Sequence, residues 1–151
     1  MATKLQTTPK NLYETDFIAW VETTVEQLRS QNYASVDWEN LIAEIEDMSR
    51  RERKSLKSNL VVLLLHLLKW QYQPEMRSGS WRGSIREHRR RINDDLKDSP
   101  SLLPYFQEVF ADCYTNAREQ AADETGLPLE MFPLDCPYAP EQSLDAKYLP
   151  D

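Results

Sequence analysis

Glu52, Asn59 and His66 stand seven positions apart, a spacing that on a helix lays them in one polar seam at the edge of an apolar stripe. His66 opens the run HLLKWQYQP, residues 66 to 74, at the end of an aliphatic stretch. An imidazole there could serve as a general base, and an enzyme built on His66 is the third reading of the chain. No motif places a Ser or Cys partner for it. His88, four positions before Ile92, falls on an apolar helix face. A di-metal bundle would need Glu-x-x-His on two helices, but Leu63 and Ile85 occupy the positions three before the two histidines. There is no glycine-rich phosphate loop, H-E-x-x-H or G-x-S-x-G. Asp94 and Asp95 are adjacent and point about 100° apart on a helix, which suits a solvated helix end better than a shared proton. Cys113 and Cys136 form no C-x-x-C and read as free buried thiols. No metal or cofactor is expected.

The second candidate chemistry is cationic. Arg82, Arg86 and Arg89 occupy an arc of about 60° on a helical wheel, beside an apolar face made by Trp81, Ile85, His88, Ile92 and Leu96. With Lys69 and Arg77 they would rim a group holding His66, Trp70 and Trp81. These eight residues, His66, Lys69, Trp70, Arg77, Trp81, Arg82, Arg86 and Arg89, are the candidate anion or partner site. Arginine forks there could receive a phosphate, a carboxylate or a nucleic-acid backbone. Alternatively Glu44, Glu52, Glu124 or the acidic tail fills the rim from within the fold.

Charge is unevenly distributed. Residues 1 to 49 carry three basic and nine acidic groups, residues 50 to 97 thirteen and five, and residues 119 to 151 one and eight. A basic middle between acidic ends fits a nucleic-acid site or internal pairing. The formal net charge of −7 favours the second, so nucleic acid is not the expected partner.

The elements that must position these groups are helical. With three glycines in 151 residues, tight β-hairpin turns have little to work with. Residues 1 to 11 lack periodicity and are expected to be mobile. Phe17, Trp20, Val21, Val25 and Leu28 predict a helix from Thr15 or Asp16 to Ser30. Asp37 can cap a second helix over 38 to about 72, roughly 50 Å long, with a break near Met48 to Arg53 as an alternative. Its stripe runs Leu41, Ile45, Met48, Leu56, Leu60, Leu63, Leu67 and Trp70, and from Leu60 to Leu68 it is apolar all round, so neighbours must enclose it.

Pro74, Gly79 and the serines at 78 and 80 turn the chain into the arginine-rich helix. If that helix returns antiparallel, facing residues have numbers summing to about 152, which sets Arg86 and Arg89 near His66 and Leu63. Ser99 and Pro100 open a further helix, Pro104 restarts or kinks it, and Gly126 with Pro128 ends it. Phe106, Val109, Phe110, Cys113, Ala117 and Ala121 are its core face. The last 25 residues hold five of the nine prolines yet keep Leu127, Met131, Phe132, Leu134, Tyr138, Leu144, Tyr148 and Leu149. That segment is expected to wrap the bundle without a long element.

The expected fold is all-α: a four-helix core with one long central helix and an irregular C-terminal tail around it, in a single helical domain over 12 to 151 with the tail at 125 to 151. The first residues lack a secretory leader's pattern. The longest apolar run, interrupted by His66, is about half of what spans a bilayer. The expectation is a soluble cytoplasmic protein.

Asp16 to Trp20, E-I-E at 44 to 46, HLLKWQYQP at 66 to 74, R-S-G-S-W at 77 to 81, PSL at 100 to 102, ETGLP from 124 and FPLDCPY from 132 together resemble domain-of-unknown-function family 29. That is a bacterial family common in cyanobacteria, and the resemblance spans about residues 12 to 150. It implies a compact helical domain and no particular activity. The function expected is therefore a non-catalytic protein-interaction or regulatory module whose partner is another protein. The alternative is an anion or nucleic-acid binder using the third helix.

Overall fold

The computed structural model describes residues 9–151. Six helices follow in order: α1 Pro9–Thr15, α2 Phe17–Arg29, α3 Trp38–Tyr72, α4 Gly79–Asp98, α5 Leu103–Thr125 and α6 Pro140–Leu144, with short 3-10 turns between several of them. The chain is all-α, and no strand occurs among the described residues. The mobile stretch expected at 1 to 11 lies, for residues 1 to 8, outside the described residues, and Pro9–Thr15 is helical.

Internal contacts divide the chain into two compact units between Arg50 and Arg51, inside α3. The helix itself is unbroken through Met48 to Arg53. In the first unit Asp16 caps α2, its side chain accepting from the Ala19 N–H at 3.1 Å. Asp37 accepts from the Asn40 N–H at 3.3 Å at the start of α3. Both satisfy amides that a helix leaves orphaned in its first turn. Tyr13 donates its hydroxyl to Glu44 at one end, and the Gln27 amide reaches the Ser35 carbonyl at the other, 3.2 Å away. The first tie runs from α1, which packs on the start of α2, to α3, and the second from the end of α2 to the turn before α3, so α2 and the start of α3 run antiparallel. Trp20 is the buried anchor of this hairpin, with the Tyr13 ring edge-on at 4.9 Å and the Phe17 ring stacked at 5.8 Å.

In the second unit the core forms where α3 is apolar on every side. Leu56, Leu60, Leu63, Leu64, Leu65, Leu67 and Leu68 are all buried, each contributing about 1.5 to 3 kcal/mol before entropy is subtracted. They are enclosed by Ile85 and Ile92 of α4, by Phe106, Val109, Phe110, Cys113, Tyr114, Ala117 and Ala121 of α5, and by Phe132 and Tyr138 from the C-terminal segment. Pro104 sits in the first turn of α5, where its missing N–H costs no helical bond. Gly126 closes α5 at φ 71°, a left-handed conformation that glycine adopts without strain.

The apolar stripe on α3 is core only from Leu56 onward. Its earlier members Ile45 and Met48 are exposed, and so are Phe17, Val21 and Val25 of α2. Periodicity reports that a helix has an apolar face. It does not say whether this chain covers it.

Candidate functional site

The second unit gathers most of the predicted cationic group at the α3–α4 corner. Ser78 caps α4 by accepting from the Trp81 N–H at 3.2 Å, and α4 then runs back along α3. Facing pairs have numbers summing to about 150, as in His66 with Ser84 and Lys69 with Trp81. The register is two residues short of the expected one and brings Ser84, rather than Arg86, to His66.

At the corner the cations sit on aromatic rings. The guanidinium carbons of Arg77 and Arg82 lie 5.0 Å and 5.6 Å from the Trp70 ring centroid. Arg77 Nε also donates to the Trp70 carbonyl at 2.8 Å. Lys69 Nζ is 4.8 Å from the Trp81 ring centroid and 4.0 Å from a Glu124 oxygen. Tryptophan faces attract cations electrostatically, and the long stems gain apolar contact. Of the carboxylates expected to fill the rim, Glu124 meets Lys69, while rings and backbone carbonyls hold Arg77, Arg82 and Arg89.

His66 is half-buried, and its Nδ1 lies 2.8 Å from the Val62 carbonyl and 3.5 Å from Ser84 Oγ. His88 Nδ1 lies 2.8 Å from the Ser84 carbonyl and 3.3 Å from the same hydroxyl. A carbonyl only accepts, so both imidazoles hold their proton on Nδ1. The nitrogen facing Ser84 is thus a donor and is unable to take the serine proton, so this arrangement lacks the nucleophile–base pair of a hydrolytic dyad. Burial holds the His66 pKa below its usual value, against the Val62 hydrogen bond that raises it.

Arg89 stands apart from the corner. It is 3% exposed. Its Nε donates to the Ser143 carbonyl at 2.8 Å and its Nη2 to the Tyr148 carbonyl at 3.0 Å. Asn93, one turn on, donates to the Leu144 carbonyl at 3.0 Å. The C-terminal segment is therefore stitched to α4 by backbone carbonyls. Arg90 and Arg91 bind Glu87, and Arg90 also binds Asp94 at 2.8 Å. Hydrogen bonds from the two arginines draw the Glu87 carboxyl down to about 2. Of the six arginines between 77 and 91, only Arg82 and Arg86 hold neither carbonyl nor carboxylate among the described residues.

A cleft of about 630 Å³ lies between α4 and the end of the chain, and Arg82, Arg86 and Arg89 line it with Ile85, Lys147 and Leu149. Sequence reasoning reached the three arginines but missed Ser84, Asn93 and Lys147. The apolar spacing of the tail signalled that it packs, without indicating which helix receives it.

The remaining candidates for chemistry are quiet. Cys113 and Cys136 are free thiols, and burial pushes each up to about 11, far from the thiolate a nucleophile needs at neutral pH. No three His, Cys, Asp or Glu groups among the described residues could hold a metal ion together. Among those residues no helix is long and apolar enough to cross a membrane.

The first unit carries the other surface of note. Nine large apolar side chains between Phe17 and Met48 are 38 to 69% exposed, against four in the whole of 51–151. Phe17, Ile18, Val21 and Val25 share one arc of α2, and Trp38, Ile42, Ile45 and Met48 share one arc of α3. In an antiparallel hairpin, arcs displaced the same way from the contact line lie on the same side. By that geometry the two arcs turn to the same side, with Glu22 beside the first and Glu39 and Glu46 beside the second on the wheel.

Comparison with curated proteins and with solved structures finds no match. The family model described as Domain of unknown function DUF29 matches residues 12–149, nearly the whole described chain, and the protein belongs to that family.

Proposed function

We propose that this protein is a non-catalytic interaction module, and that its apolar hairpin face docks a basic amphipathic helix of another protein. The observation that carries the reading is the imbalance within the first unit. Among its described residues Trp20, Thr24 and Val36 are buried, while nine large apolar side chains stand in water. That face presents on the order of 800 Å² of apolar surface, close to one side of a standard protein interface and beyond the patch usual on a monomer.

Charge selects the occupant. Residues 12 to 50 contain nine carboxylates and two arginines, so a second copy would set like charges rim to rim, whereas a cationic helix would meet Glu22 and share Glu46 with Arg50. Helix-in-groove docking uses apolar anchors three and four residues apart, which is the spacing this face offers. A polyanion finds little by comparison, since four of the six arginines between 77 and 91 are already engaged by carbonyls or carboxylates. Two cysteines kept as thiols suit a reducing compartment such as the bacterial cytoplasm.

The test uses fluorescently labelled amphipathic peptides of about 14 residues, one of leucine and lysine, one of leucine and glutamate. Micromolar binding of the basic peptide is expected, weakening as salt rises and falling about tenfold or more in an Ile42→Glu, Ile45→Glu variant. Equal binding of both peptides, or an unaffected variant, would overturn the reading. A dimer in sedimentation that the double variant dissociates would instead assign the face to a second copy.

A further inference from the structure

We infer that the cleft between α4 and the end of the chain binds a small amphiphilic anion: a carboxylate or phosphate head on an apolar body. Its floor is apolar, made by Ile85 and Leu149, and its rim is cationic. At about 630 Å³ it falls within the range of small-molecule sites. Arg86 and Lys147 stand at the cleft with no ion-pair partner among the described residues. Arg89 lies behind them with its Nε and Nη2 given to carbonyls and with Asp145 near enough to favour its charged form.

Two of the nearby carboxylates are already paired: Asp94 is held by Arg90 at 2.8 Å and Glu87 by Arg90 and Arg91. Asp145 is exposed, accepts from the Lys147 N–H at 2.9 Å and keeps its charge near Arg89, so Arg86 and Lys147 are the cations left for a ligand. An anionic head at the rim would meet the planar fork of Arg86 and the ammonium of Lys147, both exposed, through charge-assisted hydrogen bonds. The body would displace water from Leu149 and Ala146, above the buried Ile85. Neither half alone satisfies the cleft, which separates this site from the hairpin face, where the surface is apolar with acidic flanks.

Octanoate and octyl phosphate present head and body together, octanol the body alone, and inorganic phosphate the head alone. Binding to the full chain is followed by calorimetry and by methyl resonances in NMR. The expected result is saturable one-to-one binding of octanoate or octyl phosphate that moves the Ile85 and Leu149 methyls and not those of Ile42 and Ile45. Octanol and inorganic phosphate should bind about tenfold or more weakly. An Arg86→Ala, Lys147→Ala variant, both surface positions, should keep the melting temperature and lose about tenfold in affinity. The inference fails if neither amphiphile saturates by about 10 mM, if octanol binds as well, or if the variant binds like the parent. A shift confined to the Ile42 and Ile45 methyls also sinks it while leaving the docking face intact.

Discussion

Arg89, buried on α4, donates from Nε to the carbonyl of Ser143 at 2.8 Å, joining residues 54 positions apart. One guanidinium thereby anchors two points of the C-terminal segment, the second being the Tyr148 carbonyl. Arg89→Ala would strand both carbonyls and leave a void, an expected cost of about 2 to 5 kcal/mol. Arg89→Lys should recover little, because an ammonium does not reproduce the fork. Denaturant melts and amide exchange at 143 to 149 check this, and a lysine variant as stable as the parent would count against the anchor.

Removal of everything after Gly126 is expected to abolish cooperative unfolding. Phe132 and Tyr138 belong to the core, with Leu127, Leu144, Tyr148 and Leu149 packed against it. Losing the two aromatic rings alone forfeits about 3 to 6 kcal/mol of burial, a large part of a domain's net stability. A truncated chain with a sharp melt near the parent temperature would refute the structural role.

Acidification should destabilise the fold through His66. Burial lowers its folded pKa below the ordinary 6.5, so the unfolded chain takes up the proton first. The contribution is fully present above about pH 6.5 and is lost as pH falls from there through the lower folded pKa. A His66→Gln variant should show a flatter dependence of the denaturation midpoint between about pH 7.5 and 5. Identical slopes in the two proteins would remove His66 as the cause.

At high pH the sign reverses for Cys113, which is fully buried. Its folded pKa of about 11 exceeds the ordinary 9.0, so the unfolded thiol ionises first. Stability present below pH 9 is then lost on the way to 11, by roughly 2 to 3 kcal/mol. Cys113→Ala should be less stable at neutral pH yet lose less between those values, as measured by urea titrations at each pH.

The four longer helices, the Asp37 cap and the Gly126 stop were legible in local chemistry, because a short polar side chain reaches first-turn amides and only glycine sits easily at φ 71°. The helices Pro9–Thr15 and Pro140–Leu144 and the capping by Asp16 and Ser78 were not read there, and Ser99 makes no side-chain cap. The core face of α5 follows from spacing alone, and the tail packs through Leu127, Phe132, Tyr138, Leu144, Tyr148 and Leu149 while Met131 and Leu134 stay exposed. Tertiary structure decided the rest. A helical wheel places Arg82, Arg86 and Arg89 on one arc, but only the path of residues 143 to 149 buries Arg89 and leaves Arg86 at the cleft. A two-residue change in the α3–α4 register put Ser84, not an arginine, against His66. An apolar stripe reads alike whether it meets the chain's own core or nothing, because hydrophobicity is non-directional. Where Leu56 is sealed and Ile45 lies open was therefore a matter of which neighbours the fold supplies.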